Sequence, residues 1–121
     1  MTTVAWQRAE GALVAVGTAL WLWAVVPHWP LWFWPVALLA PDLAMVAYVL
    51  GSRRGAWVYN AAHLYAGGAI LAGLGHALNA SVIVAQLGLV WLAHVGVDRA
   101  LGYGLKEVTS FRDTHLGRIG R

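Results

Sequence analysis

Cysteine is absent from this chain, which excludes disulfides, thiolate metal sites and haem attached through cysteine. Charge is scarce as well. Asp, Glu, Lys and Arg make up 11% of the 121 residues, against 60% hydrophobic residues. That balance is too apolar for a soluble domain of this length and leaves no room for a second domain. The net charge is +3 with a pI near 9.8, but the basic residues sit at the ends of apolar runs. They fit juxtamembrane charge meeting anionic lipid, with no nucleic acid as partner. A cleavable leader is not expected either. Trp21, Trp23 and Pro27 stand where small cleavage-site residues are needed, and the front of the first run carries only Arg8 and Glu10.

What is present in quantity is long apolar sequence. A spanning helix needs about 20 such residues, and four segments reach that length: residues 9–26, 31–50, 55–77 and 81–101. Arg8 precedes the first, and Arg53 and Arg54 separate the second from the third. Arg99, Lys106, Arg112, Arg118 and Arg121 lie at or beyond the end of the fourth. The loops around residues 26–30 and 77–80 carry no Lys or Arg. The positive-inside rule then puts the N-terminus, the middle loop and the C-terminus in the cytoplasm. The expected fold is an all-α integral membrane protein of the cytoplasmic (inner) membrane. It has four transmembrane helices in an up-down-up-down bundle over residues 1–105 and a basic cytoplasmic tail over 106–121. Trp21, Trp23, Trp32, Phe33 and Trp34 make an outer aromatic belt around Pro27-His28-Trp29-Pro30.

Local chemistry refines this picture. Pro35 and Pro41 each remove a backbone donor and are expected to kink the second helix. Gly68-xxx-Ala72 and Ala69-xxx-Gly73 allow close helix approach in the third, building either the monomer or a homodimer. In the tail, Phe111, Leu116 and Ile119 are spaced to rest at the headgroups, and Ser110 to Asp113 can start a helical turn.

Ionisable groups inside a bilayer are costly, so each is a functional candidate. Asp42 lies ~13 Å from the inner end of the second helix, and His63 and His94 lie ~12 Å into the third and fourth. An acid and two imidazoles from three helices therefore share one level. Asn60 is one turn from His63, and Asp98 one turn from His94. Asp42, His63 and His94 are the candidate ligands of a divalent metal (zinc, iron or manganese). Asp98 and Glu10 are candidate proton acceptors, and Asn60 could orient a ligand or water. The plainer account is a hydrogen-bond network joining helices, with Asp42 pairing Arg99 or His63 and Asp98 neutralising Arg53 or Arg54. His28 and His76 fall on the outer side. His115 lies in the tail, within reach of the cytoplasmic mouth.

Several stretches resemble a family of small bacterial membrane proteins, the domain of unknown function DUF4260. They are Pro41-Asp42, Tyr59-Asn60-Ala61-Ala62-His63, Trp91 through Arg99, Leu101 through Lys106, and Phe111 through Gly117. The resemblance implies a four-helix membrane protein and brings no assigned activity. The leading reading is a metal-assisted membrane enzyme acting on a lipid-like or apolar substrate. One alternative is a proton-coupled transporter or channel using Glu10, Asp42, His63, His94 and Asp98 as a relay. Another is a b-type haem protein with His63 and His94 as axial ligands, a weaker fit because acids surround them. A third is a structural or assembly subunit of a larger membrane complex. Membrane lipids are the expected partners in every case, with a homo-oligomer or larger complex as the protein partner.

Overall fold

Glycine and alanine decide where the helices of this protein cross. The computed structural model describes residues 1–24, 29–79 and 81–120. The chain forms α1 (Thr3–Ala24), then α2 (Phe33–Leu39), which runs directly into a 3-10 helix (Ala40–Leu50). α3 (Ser52–Ala62), α4 (Tyr65–Ala77) and α5 (Val82–Leu101) follow, and a two-stranded antiparallel hairpin, β1 (Asp113–Thr114) and β2 (Gly117–Arg118), closes the chain. α5 is the central helix. It packs on α1 and on α4, with α2 on a further face, while the 3-10 helix packs on α3. A Cβ on Gly68 would meet the Gly88 carbonyl at 2.8 Å, and one on Gly96 would meet the Gly11 carbonyl at 2.8 Å. Both crossings of α5 therefore bring backbone against backbone, as small residues allow between helices. Gly68 and Ala72 are used inside the monomer, at the α4–α5 contact.

The structure departs from the sequence expectation in the second and third segments. Pro35 lies in the first turn of α2, where its missing N–H is no loss. Pro41 is the effective one: the α-helix ends at Leu39, and the chain continues as a 3-10 helix for 11 residues. The third segment is not one helix. α3 stops at Ala62, Leu64 is extended, and α4 starts at Tyr65. No proline causes this break. Side chains from α5 stabilise it by accepting the duties of the lost ladder. Trp91 Nε1 donates to the Ala62 carbonyl at 2.6 Å, and an Arg99 guanidinium N–H donates to the His63 carbonyl at 3.0 Å.

The described chain is almost wholly helical before residue 102. Among the described residues two helices are long and apolar enough to cross a membrane, Phe33–Leu50 and Val82–Leu101. Four were expected. Gln7, Arg8 and Glu10 lower the apolarity of α1, and the break at His63–Leu64 shortens the third segment into two pieces. Large apolar side chains nevertheless face outward along the helices, with Leu13, Trp23, Leu43, Val49, Ile70 and Leu78 all exposed. The loop expectations at Val26, Pro27, His28 and Ala80 lie outside the described residues.

Candidate metal centre

The break in the third segment is what aims His63. Its backbone leaves the helix at φ −109°, ψ 20°, and its ring lies flat on Tyr59 with centroids 3.7 Å apart. His63 Nδ1 is 2.8 Å from the Tyr59 carbonyl, so Nδ1 carries the hydrogen and Nε2 presents its lone pair. His94 and Asp98 come from one face of α5, four residues apart. Asp42 comes from the first turn of the 3-10 helix. The turn at Pro41 thus sets the direction of Asp42 just as the break sets that of His63.

These four side chains converge on one point. His63 Nε2 and His94 Nε2 are 3.1 Å apart, and Asp42 Oδ1 is 3.5 Å from each. Asp98 Oδ2 is 3.5 Å from His63 Nε2 and 3.6 Å from His94 Nε2. All four donor atoms lie within 4.8 Å of one another. A tetrahedron with zinc–nitrogen and zinc–oxygen bonds of about 2.0–2.2 Å has edges of about 3.3–3.6 Å. The four His–Asp edges, at 3.5–3.6 Å, match that figure, while the His63–His94 edge of 3.1 Å is shorter. The His–Asp separations are longer than the roughly 2.7–3.2 Å of closed hydrogen bonds, and only the His63–His94 pair lies within that range. Asp42, His63, His94 and Asp98 therefore form a group able to hold a metal ion. His63 is fully buried and His94 nearly so. The His63 bond to a backbone carbonyl is the kind of outer contact that fixes a metal-binding imidazole. Nitrogens 3.1 Å apart leave no space for a haem between the two rings.

The expected ligands Asp42, His63 and His94 are brought together, and Asp98 joins them as a fourth donor. Glu10 and Asn60 are placed elsewhere. Glu10 is exposed on α1 and outside the cluster. Asn60 holds the tail: its Nδ2 donates to the Lys106 carbonyl at 2.9 Å, and the Lys106 N–H donates to its Oδ1 at 2.6 Å. Trp91 closes the helix break, as described above, with its ring against Gly67. Arg99 donates to the carbonyls of His63 and Tyr103, so it supports the backbone beneath the centre. Sequence reasoning passed over Tyr59, whose hydroxyl lies 3.4 Å from Asp98 Oδ2 as well as stacking on His63. Its spacing of four from His63 was the available signal. Lys106 was also missed. It is buried, with its ammonium over the rings of Tyr59 and Phe111 at 4.9 and 3.9 Å.

The tail is a small folded unit. α5 ends at Gly102 in the left-handed conformation, with Tyr103 N–H reaching the Asp98 carbonyl. Ser110–Asp113 forms a turn leading into the hairpin, where a helical start was expected, and Arg118 pairs with Asp113 at 2.7 Å. His115 Nδ1 accepts the Leu105 N–H at 2.8 Å. Partial burial, and then the charge of Arg99, hold His115 below the ordinary imidazole range. The undocked tail therefore takes up a proton first as pH falls below about 6.5, and docking weakens on acidification. Asn60→Ala is expected to release the tail, because it leaves both Lys106 backbone groups unpaired at a cost of about 1–3 kcal/mol. Limited trypsin digestion checks this. Cleavage at Lys106 and Arg112 should be faster in the variant, and, relative to an unstructured reference peptide that corrects for trypsin's own pH dependence, faster in wild type at pH 5 than at pH 7.5; equal rates in variant and wild type would mean that Asn60 does not hold the tail.

Comparison with known proteins adds one finding. The family described as "Domain of unknown function (DUF4260)" matches residues 4–119, so the chain belongs to that family. Neither the curated proteins nor the solved structures yield a match.

Proposed function

We propose that this DUF4260 protein is an integral membrane metalloenzyme whose Asp42–His63–His94–Asp98 centre acts on a lipid-like substrate in the cytoplasmic leaflet. The observation that carries the reading is the convergence of four donors from three elements, with His–Asp distances of 3.5–3.6 Å that suit the edges of a zinc-sized tetrahedron. A divalent metal at this centre, zinc first, would supply Lewis-acid polarisation of a carbonyl or phosphoryl oxygen. Catalysis needs an exchangeable position, and Asp42 is the side chain suited to yield one. It is 32% exposed, the most open of the four, and makes no hydrogen bond among the described residues. Where Asp98 is not spent as a donor, it would hold a proton, with the Tyr59 hydroxyl beside it.

Membrane placement is supported by two apolar helices of spanning length and by the exposed apolar faces of the rest. α2 and the 3-10 helix together extend roughly 32 Å, and α1 roughly 33 Å, each close to a bilayer core of about 30 Å. We read four crossings, with both ends and Arg53–Arg54 in the cytoplasm. Reporter fusions after Ser52 and at the C-terminus should both read cytoplasmic, and one near His28 external; a C-terminus on the outer side would overturn the topology and the leaflet.

One observation favours a second reading, a structural metal clasp. Four protein donors are as many as a closed tetrahedral structural site uses. Elemental analysis of detergent-purified protein tests both readings together. About one zinc, iron or manganese per chain is expected, and a metal-free protein would sink both. Asp42→Asn separates them, because an exchangeable ligand can be lost while metal is retained at reduced affinity, whereas a clasp loses its metal and its fold together.

A further inference from the structure

Between α1, α2 and α5 runs an apolar groove of about 850 Å3. Ala15, Ala19 and Ala93 lie on its surface between the larger Leu22, Trp34 and Leu38, and among the described residues no charged side chain lines it. Its volume falls within the range of ligand sites, about 300–1,000 Å3. Its position is the telling feature. Ala93 and Val97 of its α5 wall adjoin His94 and Asp98 in sequence, and Leu38 precedes Asp42 by one turn. One end of the groove thus meets the elements that carry the metal donors, and the other is bounded by Trp23 and Trp29. The groove opens on an apolar surface, since Trp23, Leu31 and Val97 are all exposed. An occupant enters from the side, out of the bilayer.

Resting on the metalloenzyme reading above, we propose that this groove is the binding site for one hydrocarbon chain of a membrane lipid. The chain lies along Ala19, Ala93 and Leu38, and the ester or phosphate oxygens of the same lipid reach the Asp42 side of the centre. The small alanines leave room for a chain, the absence of charge excludes a polar ligand, and the tryptophans mark the end at the outer interface. A chain threaded this way carries its polar end to the cytoplasmic half of the membrane, where the donors stand.

The test uses the full chain in phosphatidylcholine vesicles doped with phosphatidylglycerol bearing a photoactivatable diazirine in one acyl chain. Cross-linked residues are mapped by mass spectrometry, and metal content is measured on the same samples. Labels should concentrate on α1, α2 and α5 residues of the groove. Ala19→Trp and Val97→Trp, both at exposed positions that the fold tolerates, should cut that labelling about tenfold, equivalent to about 1.4 kcal/mol of chain affinity. Asp42→Asn should weaken metal binding and keep the groove labelled. Labels spread evenly over other lipid-facing residues such as Val46, Ile70 and Leu74, or unaffected by either tryptophan, would overturn the proposal. A labelled groove in a metal-free wild type would uphold the chain site and sink the metalloenzyme reading alone.

Discussion

Replacing His94 with Ala is expected to abolish stoichiometric metal binding and to make the protein's stability indifferent to zinc. In wild type, removing metal with a chelator should lower the thermal midpoint, and restoring zinc should raise it. A ligand that binds only the folded state stabilises it by about 4 kcal/mol at a thousandfold excess over Kd, or roughly 10–20 °C in a domain of this size. The effect should be large because the site draws on three separate elements, the 3-10 helix, the α3 terminus and α5. Losing His94 removes one of the two imidazoles through which these elements share a partner. A hydrogen-bonded cluster would behave differently. His94→Ala and Asp42→Asn would each destabilise the chain by about 1–3 kcal/mol, the double variant would recover part of that loss, and zinc would change nothing. Thermal unfolding in detergent, with and without zinc, for wild type, both single variants and the double decides the matter.

The convergence of Asp42, His63 and His94 was legible in the sequence because depth along a helix depends only on residue count and rise. The convergence survived two departures from regular α-helix, the 3-10 run after Pro41 and the break after Ala62, because each lies within a turn of the residue concerned. The role of Asp98 was only partly legible. Its place on the His94 face follows from the spacing of four, but whether it donates to the same point depends on side-chain direction. The break itself was not legible at all. Residues 62–65 contain neither Pro nor Gly, and what permits the break is the arrival of Trp91 and Arg99 from a helix far along the chain. Asn60 was misplaced for a related reason. Its helix position aims it near the centre, yet its partner is the backbone of Lys106, and no periodicity locates an irregular tail. Small-residue spacing announced close packing without naming the partner helix, and the structure supplies it.

That packing yields the other large expected effect. Gly88→Leu should unfold or grossly destabilise the protein, by more than about 4 kcal/mol, although residue 88 touches no donor of the metal centre. A Cβ there would overlap the backbone nitrogen of Ala72 and stand 2.7 Å from the Gly68 carbonyl. Both obstacles are backbone, so no rotamer change relieves them, and α4 must move away from α5. Between lipid-solvated helices close van der Waals packing supplies much of the association, so separation forfeits the contact that holds the pair. His63 lies two residues before α4 and His94 is on α5, so moving the helices apart also pulls the two imidazoles from their 3.1 Å spacing. Metal content should fall with stability in this variant. Gly73→Ala is the matching control, since a Cβ there meets nothing within 4 Å. It should be neutral or stabilising by up to about 1 kcal/mol, the helix-propensity gain of Gly to Ala, with metal content unchanged. Unfolding in detergent and elemental analysis of both variants give the reading. A Gly88→Leu protein as stable and as metal-loaded as wild type would mean that α4 and α5 do not meet at Gly88, and the crossing that aligns the centre would have to be abandoned.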